Sequence, residues 1–234
     1  MAKLITIEQP LERESAVALG FFDGVHLGHR AVLRAAATVR RKRNDAVRRI
    51  TFCRRFRAGE TGQNALLSLY RSAENAELEA CGIERVYCPP FSQLCALDGA
   101  AFCRDVLAGL FHAREVFCGG DFHFGAKAAW DVESLRQFGA EMGFAVHQVA
   151  PVLADGEKIS SSTIRQALLD GKPEQAAALL GAPYAVLGNV VHGARWAEPT
   201  PFPPSTSLLR QDSWFRGTES MCPVPIRPRG VLTR

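Results

Sequence analysis

Short apolar runs typical of buried strands alternate with helical patterns about five times along the first ~180 residues. Because successive strands joined through helices run parallel, this alternation predicts an α/β fold, a parallel sheet with helices on both faces. Ligands of such sheets bind beyond the carboxyl ends of the strands. The predicted strands lie at residues 15–22, 46–53, 83–88, 115–118 and 144–149, and the predicted helices at 28–43, 72–81, 100–111, 132–142, 161–169 and 173–180.

The character of the chain changes after residue 182. One more strand is predicted at 184–192, but eight of the 13 prolines lie at or beyond Pro183. Proline cannot supply the ladder hydrogen bonds of a sheet interior, so a regular continuation is disfavoured. We therefore expect two parts, an α/β domain over residues 1–182 and a short, incomplete and poorly ordered segment over 183–234.

Composition excludes several classes of protein. Hydrophobic residues make up 47% and charged residues 22% of the chain, as in ordinary globular domains. The net charge of +4 is too small to indicate a nucleic-acid partner. The N-terminus lacks a signal-peptide pattern, and no apolar run reaches the ~18 residues of a membrane span. The seven cysteines form no CxxC pair, so we expect free thiols, a cytoplasmic protein and no membrane partner. No feature indicates an oligomeric state.

The most informative segment joins the first predicted strand to the first predicted helix. It reads Gly20-Phe21-Phe22-Asp23-Gly24-Val25-His26-Leu27-Gly28-His29. Glycines in such a turn let the backbone approach a phosphate closely, and the free N–H groups of the helix N-terminus attract anions. The histidines on either side of Gly28 can donate hydrogen bonds to phosphate oxygens and stabilise developing charge. The alternative, a turn with two exposed histidines, does not explain the whole pattern.

A second segment precedes the predicted helix at 161–169 and reads Ile159-Ser160-Ser161-Ser162-Thr163-Ile164-Arg165. Hydroxyl groups before a helix cap its free N–H groups, and a plain N-cap is the better interpretation of this stretch taken alone. The same hydroxyls can also bind phosphate. Arg165, one turn into the helix, can offer a planar bidentate contact to a phosphate group.

A third segment follows the predicted strand at 115–118 and reads Gly119-Gly120-Asp121-Phe122-His123-Phe124-Gly125. Its glycines allow the backbone to wrap around a flat ligand, and its two phenylalanines can form a wall. A glycine-rich turn with core aromatic residues explains the pattern equally well.

Together these segments resemble a known family. His26-Leu27-Gly28-His29 matches the HxGH signature of Rossmann-like nucleotidyltransferases, and the longer GFFDGVHLGH resembles the FAD synthetase module of bacterial bifunctional riboflavin kinase/FMN adenylyltransferases. The second and third segments resemble the ISSTxIR-like and GxDFxFG segments of that family. The resemblance covers residues 15–193 and implies transfer of AMP from ATP to FMN, giving FAD and diphosphate. It also implies Mg²⁺ carried by ATP, with no metal ligand assigned on the protein and only small-molecule partners.

The resemblance also implies roles for individual residues. The expected catalytic residues are His26, His29 and Arg165. The expected nucleotide-binding residues are Gly20, Phe21, Phe22, Asp23, Gly24, Gly28, Ser161 and Ser162. The residues expected to bind nucleotide and flavin are Gly120, Asp121, Phe122, Phe124 and Gly125.

Two departures from the family pattern shape the functional hypothesis. Cys53-Arg54-Arg55-Phe56-Arg57 stands where the family has a Pro-His-Pro-type segment. Residues 183–193 resemble the opening strand of the riboflavin kinase domain, but the Pro-Thr-x-Asn motif of that domain is absent. We therefore expect a kinase remnant, a frame shift or truncation near Arg195, and no riboflavin kinase activity. The alternatives left open are an impaired remnant that only binds nucleotide or flavin, and an adenylyltransferase with another phosphate acceptor.

Overall fold

The computed structural model describes residues 3–5, 10–39, 48–52, 77–87 and 96–184. By its internal contacts the chain divides between residues 187 and 188, and every described residue lies on the N-terminal side of that division. The predicted strand at 184–192 therefore lies outside the described residues except for its first residue. The segment at 53–57, which differs from the family pattern, lies entirely outside them.

A parallel sheet of six strands forms the centre of the domain, as the alternation of patterns predicts. Its order is β1-β4-β3-β2-β5-β6, so the chain leaves β2 toward one edge and later returns to β5 on the other side of β2. The direction of winding thus reverses between β2 and β5, which is where ligands of doubly wound sheets bind. The strands are β1 Lys3–Ile5, β2 Ser15–Ala18, β3 Arg48–Phe52, β4 Arg85–Tyr87, β5 Ala113–Gly119 and β6 Ala145–Val149.

Helices lie between most of these strands and after the last of them. Residues 77–80 are also helical, and a small antiparallel hairpin, β7 Leu153–Ala154 and β8 Glu157–Lys158, precedes the last two helices. In the described part of the chain no helix has the length and apolarity needed to cross a membrane. The helices are α1 Leu27–Ala37, α2 Gly99–Ala101 continuing as the π-helix Phe102–Leu110, α3 Val132–Met142, α4 Ser161–Leu169 and α5 Pro173–Leu180.

Strand β2 is fully buried and divides its side chains between two cores. Val17 belongs to one core, which contains Leu107 of α2 and Leu135 of α3. Ala16 and Ala18 belong to the other core, which contains Leu33 of α1. Since alternate residues of a strand point to opposite faces, helices cover both faces of the sheet, as predicted.

The boundaries of several elements differ from the sequence-based expectation. The strand predicted at 15–22 ends at Ala18, because the following residues enter a turn with left-handed backbone angles. The helix predicted at 28–43 ends at Ala37, where the Thr38 hydroxyl donates a hydrogen bond of 2.7 Å to the carbonyl of Ala35. A threonine hydroxyl bonded to the backbone in this way competes with continuation of the helix.

The loop after β5 is fitted closely around one tryptophan. Gly125 has φ 72° and ψ −172°, a backbone region open almost only to glycine. A Cβ atom there would lie 2.5 Å from the ring of Trp130, and one at Gly99 would lie 2.6 Å from the same ring. Trp130 thus packs against two glycines, and the path of the loop depends on both lacking a side chain.

Replacing Gly125 with alanine is predicted to destabilise the protein by about 3 kcal/mol or more, since backbone strain and a clash with Trp130 add together. Gly171→Ala is the matched control, because Gly171 has φ +70° with nothing within 4 Å of the added Cβ. Its cost is limited to about 1–2 kcal/mol of backbone strain. Urea unfolding of both variants measures the difference, and equal losses of stability would contradict this account of the loop.

Candidate active site

Two of the three segments singled out in the sequence lie at the carboxyl ends of the strands where the winding reverses. The turn after β2 leads into α1, and the glycine-rich loop follows β5, which pairs with β2 through Ala18 and Phe117. The remaining segment, residues 159–165 at the start of α4, reaches the same place, because the Ser161 hydroxyl donates a hydrogen bond of 3.1 Å to the backbone carbonyl of Asp23. The sheet therefore gathers at one edge segments that are far apart in sequence.

The turn after β2 has an unusual backbone. Phe22, Gly24 and Val25 have φ values of 47°, 79° and 41°, so two residues other than glycine adopt left-handed angles within four positions. The Val25 carbonyl accepts a hydrogen bond of 3.1 Å from Nε of Arg30, and a Cβ at Gly20 would lie 2.9 Å from the Phe22 ring. Strained backbone of this kind clusters at functional sites, where surrounding contacts hold it in place.

His26 and His29 form a stacked pair at the N-terminus of α1. Their ring centroids are 3.6 Å apart with an interplanar angle of 20°, and the Phe22 ring meets His29 edge-on at 5.2 Å. His26 is the N-cap, and its Nδ1 accepts a hydrogen bond of 3.3 Å from the backbone N–H of His29. Since Nδ1 acts as the acceptor, the proton of neutral His26 is assigned to Nε2, which is left as a donor.

Both imidazoles are held neutral. Burial, followed by the positive charge of Lys158, lowers the pKa of His26 from 6.5 to about 4, although Asp121 opposes this shift. Burial, His26 and Lys158 together lower the pKa of His29 well below its ordinary value. The buried Nδ1 of His29 has no hydrogen-bond partner among the described residues. The pair therefore offers hydrogen-bonding nitrogens without a fixed positive charge of its own.

An ion pair joins the turn after β2 to helix α4. Nη2 of Arg165 contacts Oδ2 of Asp23, although 142 residues separate them in sequence. The two side chains are only 17% and 9% exposed. Nε of Arg165 is buried and donates to no acceptor in the described part of the chain. Arg165 thus lies at the predicted site. Its Nη2 contacts the Asp23 carboxylate, and its buried Nε–H can still donate a hydrogen bond.

The serines before α4 divide between two tasks. Ser160 is the N-cap, and its hydroxyl accepts a hydrogen bond of 3.1 Å from the N–H of Thr163. Ser161 is engaged with Asp23, whereas Ser162 is exposed on the first turn. Both interpretations of this segment therefore have support, since it caps a helix and also presents a hydroxyl at the site.

The loop after β5 contributes a charged residue and an aromatic pair. Asp121 forms an ion pair with Lys158, which lowers the pKa of its carboxyl group below the usual range. Phe122 and Phe124 stack with ring centroids 5.8 Å apart. Phe124 is buried in the core, however, and only Phe122 is partly exposed. The core interpretation thus holds for Phe124, whereas Phe122 stays a predicted ligand contact that is partly exposed.

Of the remaining predicted site residues, Gly28 and Gly120 are tightly packed and Phe21 is exposed. A Cβ at Gly28 would lie 3.2 Å from the His26 ring, and one at Gly120 would lie 2.5 Å from the Gln148 amide. Phe21 is 55% exposed at the turn after β2. Glycine at these two positions keeps the His26 ring and the loop after β5 in place.

Lys158 is the site residue that the sequence reasoning missed. It ends β8, pairs with Asp121 and lowers the pKa of both histidines through its charge. Its signal was its position two residues before the capping serines, a cation next to a predicted phosphate seat. Lys158 brings a positive charge to the neutral histidines and links the hairpin to the loop after β5.

Comparison with known proteins identifies the family of this chain. A family model described as FAD synthetase matches residues 8–163, more than half of the chain. The bifunctional riboflavin kinase/FMN adenylyltransferase of Escherichia coli K12 is 33% identical over 207 residues, covering 88% of this chain and 66% of that protein. The protein of the same name from Pseudomonas fluorescens is 33% identical over 213 residues, covering 87% of this chain and 66% of that protein.

A solved structure shares the fold. It is described as a macrolide-efflux protein from Streptococcus pneumoniae, with 27% identity and a TM-score of 0.63, over 77% of this chain and 60% of that one. The chain spans just under two thirds of the length of the two curated relatives named above. The match over residues 8–163, together with the histidine pair at the point where the winding reverses, shows that the chain belongs to the FAD synthetase family of nucleotidyltransferases.

Proposed function

We propose that this protein transfers the AMP group of ATP to the phosphate of FMN, giving FAD and diphosphate. The observation that carries the proposal is the stacked pair of neutral imidazoles, His26 and His29, at the N-terminus of α1. The names of the curated relatives include FMN adenylyltransferase, which supports FMN as the acceptor. Riboflavin kinase activity is proposed to be absent, because the metal- and ATP-binding motif of that domain is missing from residues 194–234.

The start of α1 is suited to the triphosphate of ATP. The free N–H groups of a helix N-terminus carry partial positive charge and attract anions. Nε2 of His26 can donate a hydrogen bond to a phosphate oxygen, because its Nδ1 is already engaged with the His29 backbone. Lys158 adds a full positive charge beside both rings. We propose that these groups hold the β- and γ-phosphates.

Helix α4 faces the same place and supplies a second phosphate contact. Arg165 is fixed by Asp23 and retains a buried N–H without an acceptor in the described residues. A guanidinium group offers several donors in one plane, so it can hold a carboxylate and a phosphate at once. We propose that Arg165, with Ser161 and Ser162 beside it, binds the phosphates from this second side.

The proposed reaction is an in-line displacement without a protein nucleophile. A phosphate oxygen of FMN forms a bond to the α-phosphorus of ATP, and the bond from that phosphorus to the α,β-bridging oxygen breaks. The leaving diphosphate keeps the electron pair of that bond. The protein's contribution is to align the two substrates and to stabilise charge on the leaving group through His26, His29 and Arg165.

Magnesium is proposed to arrive bound to ATP. Within the described ranges no three or more His, Cys, Asp or Glu side chains lie together as a metal-binding group, and Asp121 is engaged with Lys158. A bound Mg²⁺ would neutralise part of the charge on the phosphates. We also propose a cytoplasmic location for the reaction, with the small molecules ATP and FMN as partners.

The first prediction concerns activity. Purified protein is expected to form FAD from FMN, ATP and Mg²⁺, and His29→Ala is expected to lower kcat by about 100-fold or more, since a donor to the developing charge is lost. His112→Asn is the control, because His112 is an exposed histidine just before the opposite end of β5, and asparagine tolerates its φ of 46°. Chromatography of the flavin products measures both.

The same assay separates the alternatives. An adenylylated product formed from another phosphate-bearing acceptor in preference to FMN would replace the proposed acceptor. Binding of ATP and FMN in a thermal-shift series without any product would identify an impaired remnant. FMN or FAD formed from riboflavin would contradict the proposed absence of kinase activity.

A second prediction concerns pH and stability. Folded His26 has a pKa of about 4, against 6.5 in the unfolded chain. Between these values only the unfolded state binds the proton. The free energy of unfolding is therefore highest above pH 6.5 and decreases as the pH falls toward 4. The expected loss from His26 is about 3 kcal/mol.

The variant His26→Asn tests this contribution of His26 to the acid loss of stability, because asparagine keeps an N-cap acceptor but does not titrate. Urea unfolding at pH 7.5 and pH 4.5 is expected to show a smaller acid loss of stability in the variant than in the wild type. Parallel losses in the two proteins would show that burial does not hold His26 neutral.

A further inference from the structure

We propose that Asp23 is a positioning residue, which orients Arg165 and anchors the start of α4, and that it does not itself bind the nucleotide. This inference rests on the proposed function, because it assigns how the phosphate-binding groups of that site are held. It also revises the expected role of Asp23 as a nucleotide-binding residue.

The contacts of Asp23 point into the protein. Its carboxylate is 9% exposed and meets Nη2 of Arg165, and its backbone carbonyl accepts the hydrogen bond of 3.1 Å from Ser161. Side chain and backbone of one residue therefore hold two residues of the other phosphate-binding segment. The backbone on either side of Asp23 is left-handed, since Phe22 and Gly24 have φ of 47° and 79°.

The charges favour the same role. A buried carboxylate is strongly stabilised by a buried guanidinium group, and either one left alone is costly. With one arm of Arg165 held by Asp23, the plane of the guanidinium group is set before substrate arrives. Its buried Nε has no acceptor in the described part of the chain. A preset donor of this kind can meet a phosphate oxygen with little rearrangement.

A neutral tyrosine lies near the same carboxylate. Tyr184 packs against the core formed by α4 and α5, and burial together with the negative charge of Asp23 raises the pKa of its phenol to about 12. The phenol is therefore uncharged at physiological pH. Arg165 thus supplies a full positive charge beside Asp23, whereas the tyrosine supplies only a neutral hydroxyl group.

The test is a double-mutant cycle on the full chain, with Asp23→Asn, Arg165→Met and the double variant. If Asp23 acts through Arg165, Asp23→Asn lowers kcat/KM for ATP by about tenfold or more in the wild-type background. The same change then has less than about a twofold effect when Arg165 is methionine. The double variant is also expected to melt at a higher temperature than Arg165→Met, because it removes the unpaired buried carboxylate.

A control and a second measurement distinguish positioning from a general loss of structure. Glu14→Gln removes a carboxylate from an exposed pair with Arg114, 2.7 Å apart, and is expected to leave KM and kcat unchanged. The Mg²⁺ concentration for half-maximal activity is expected to be the same in the wild type and Asp23→Asn. Equal effects of Asp23→Asn in both backgrounds, or a raised Mg²⁺ requirement, would overturn the proposal and make Asp23 a direct ligand.

Failure of the proposed function can be recognised separately. If the wild type forms no FAD, the cycle is measured as ATP affinity by calorimetry in the presence of Mg²⁺. Non-additive affinities would then support the role of Asp23 while the proposed reaction fails. Additive affinities, or no ATP binding by the folded wild type, would overturn the positioning role as well.

Discussion

The parallel pairing of β2 with β3 on one side and β5 on the other is the constraint on which the site depends. It places β2 within the sheet, fully buried, with the winding reversing at its carboxyl end. The turn after β2 must then leave the sheet and start α1 within a few residues, and it does so with left-handed angles at Phe22 and Val25. The position of the two histidines follows from that turn.

Burial sets the chemistry of the site as much as residue type does. Histidine in water titrates near neutrality, yet His26 is only 5% exposed and burial lowers its pKa to about 4. Among the described residues, Lys158 and Arg165 bring full positive charges to the site, and each contacts an aspartate. The site thus separates neutral hydrogen-bonding groups from fixed charges, an arrangement suited to binding a polyanion and releasing part of it as a product.

Much of the fold and of the site was predictable from local patterns. The alternation of strand and helix patterns predicted the parallel sheet. The segments at Gly20–His29 and Ile159–Arg165 were predicted to hold the same phosphates, and the Ser161–Asp23 hydrogen bond brings the two segments into contact. The boundaries of β2 and α1 were predicted less well, because a strained turn and a threonine hydroxyl decide them.

What sequence patterns could not supply were the pairings between distant residues. The contact of Asp23 with Arg165 spans 142 positions, and that of Lys158 with Asp121 joins a hairpin to a loop. Neither pair has a periodic signal, since each depends on the order of strands in the sheet. The burial of Phe124 against Phe102 and Trp130 was likewise open, because a glycine-rich aromatic loop fits both a core and a ligand wall.

The most direct test of the central claim follows the α-phosphorus of ATP through a single turnover. Protein in excess over ATP labelled at that phosphorus is mixed with FMN and Mg²⁺, and the products are separated. The account predicts that the label appears in FAD while unlabelled diphosphate is released, because the bond broken lies between the α-phosphorus and the bridging oxygen. Label found in ADP, or retained in ATP while all of the ATP is bound to folded protein and FMN is saturating, would contradict it.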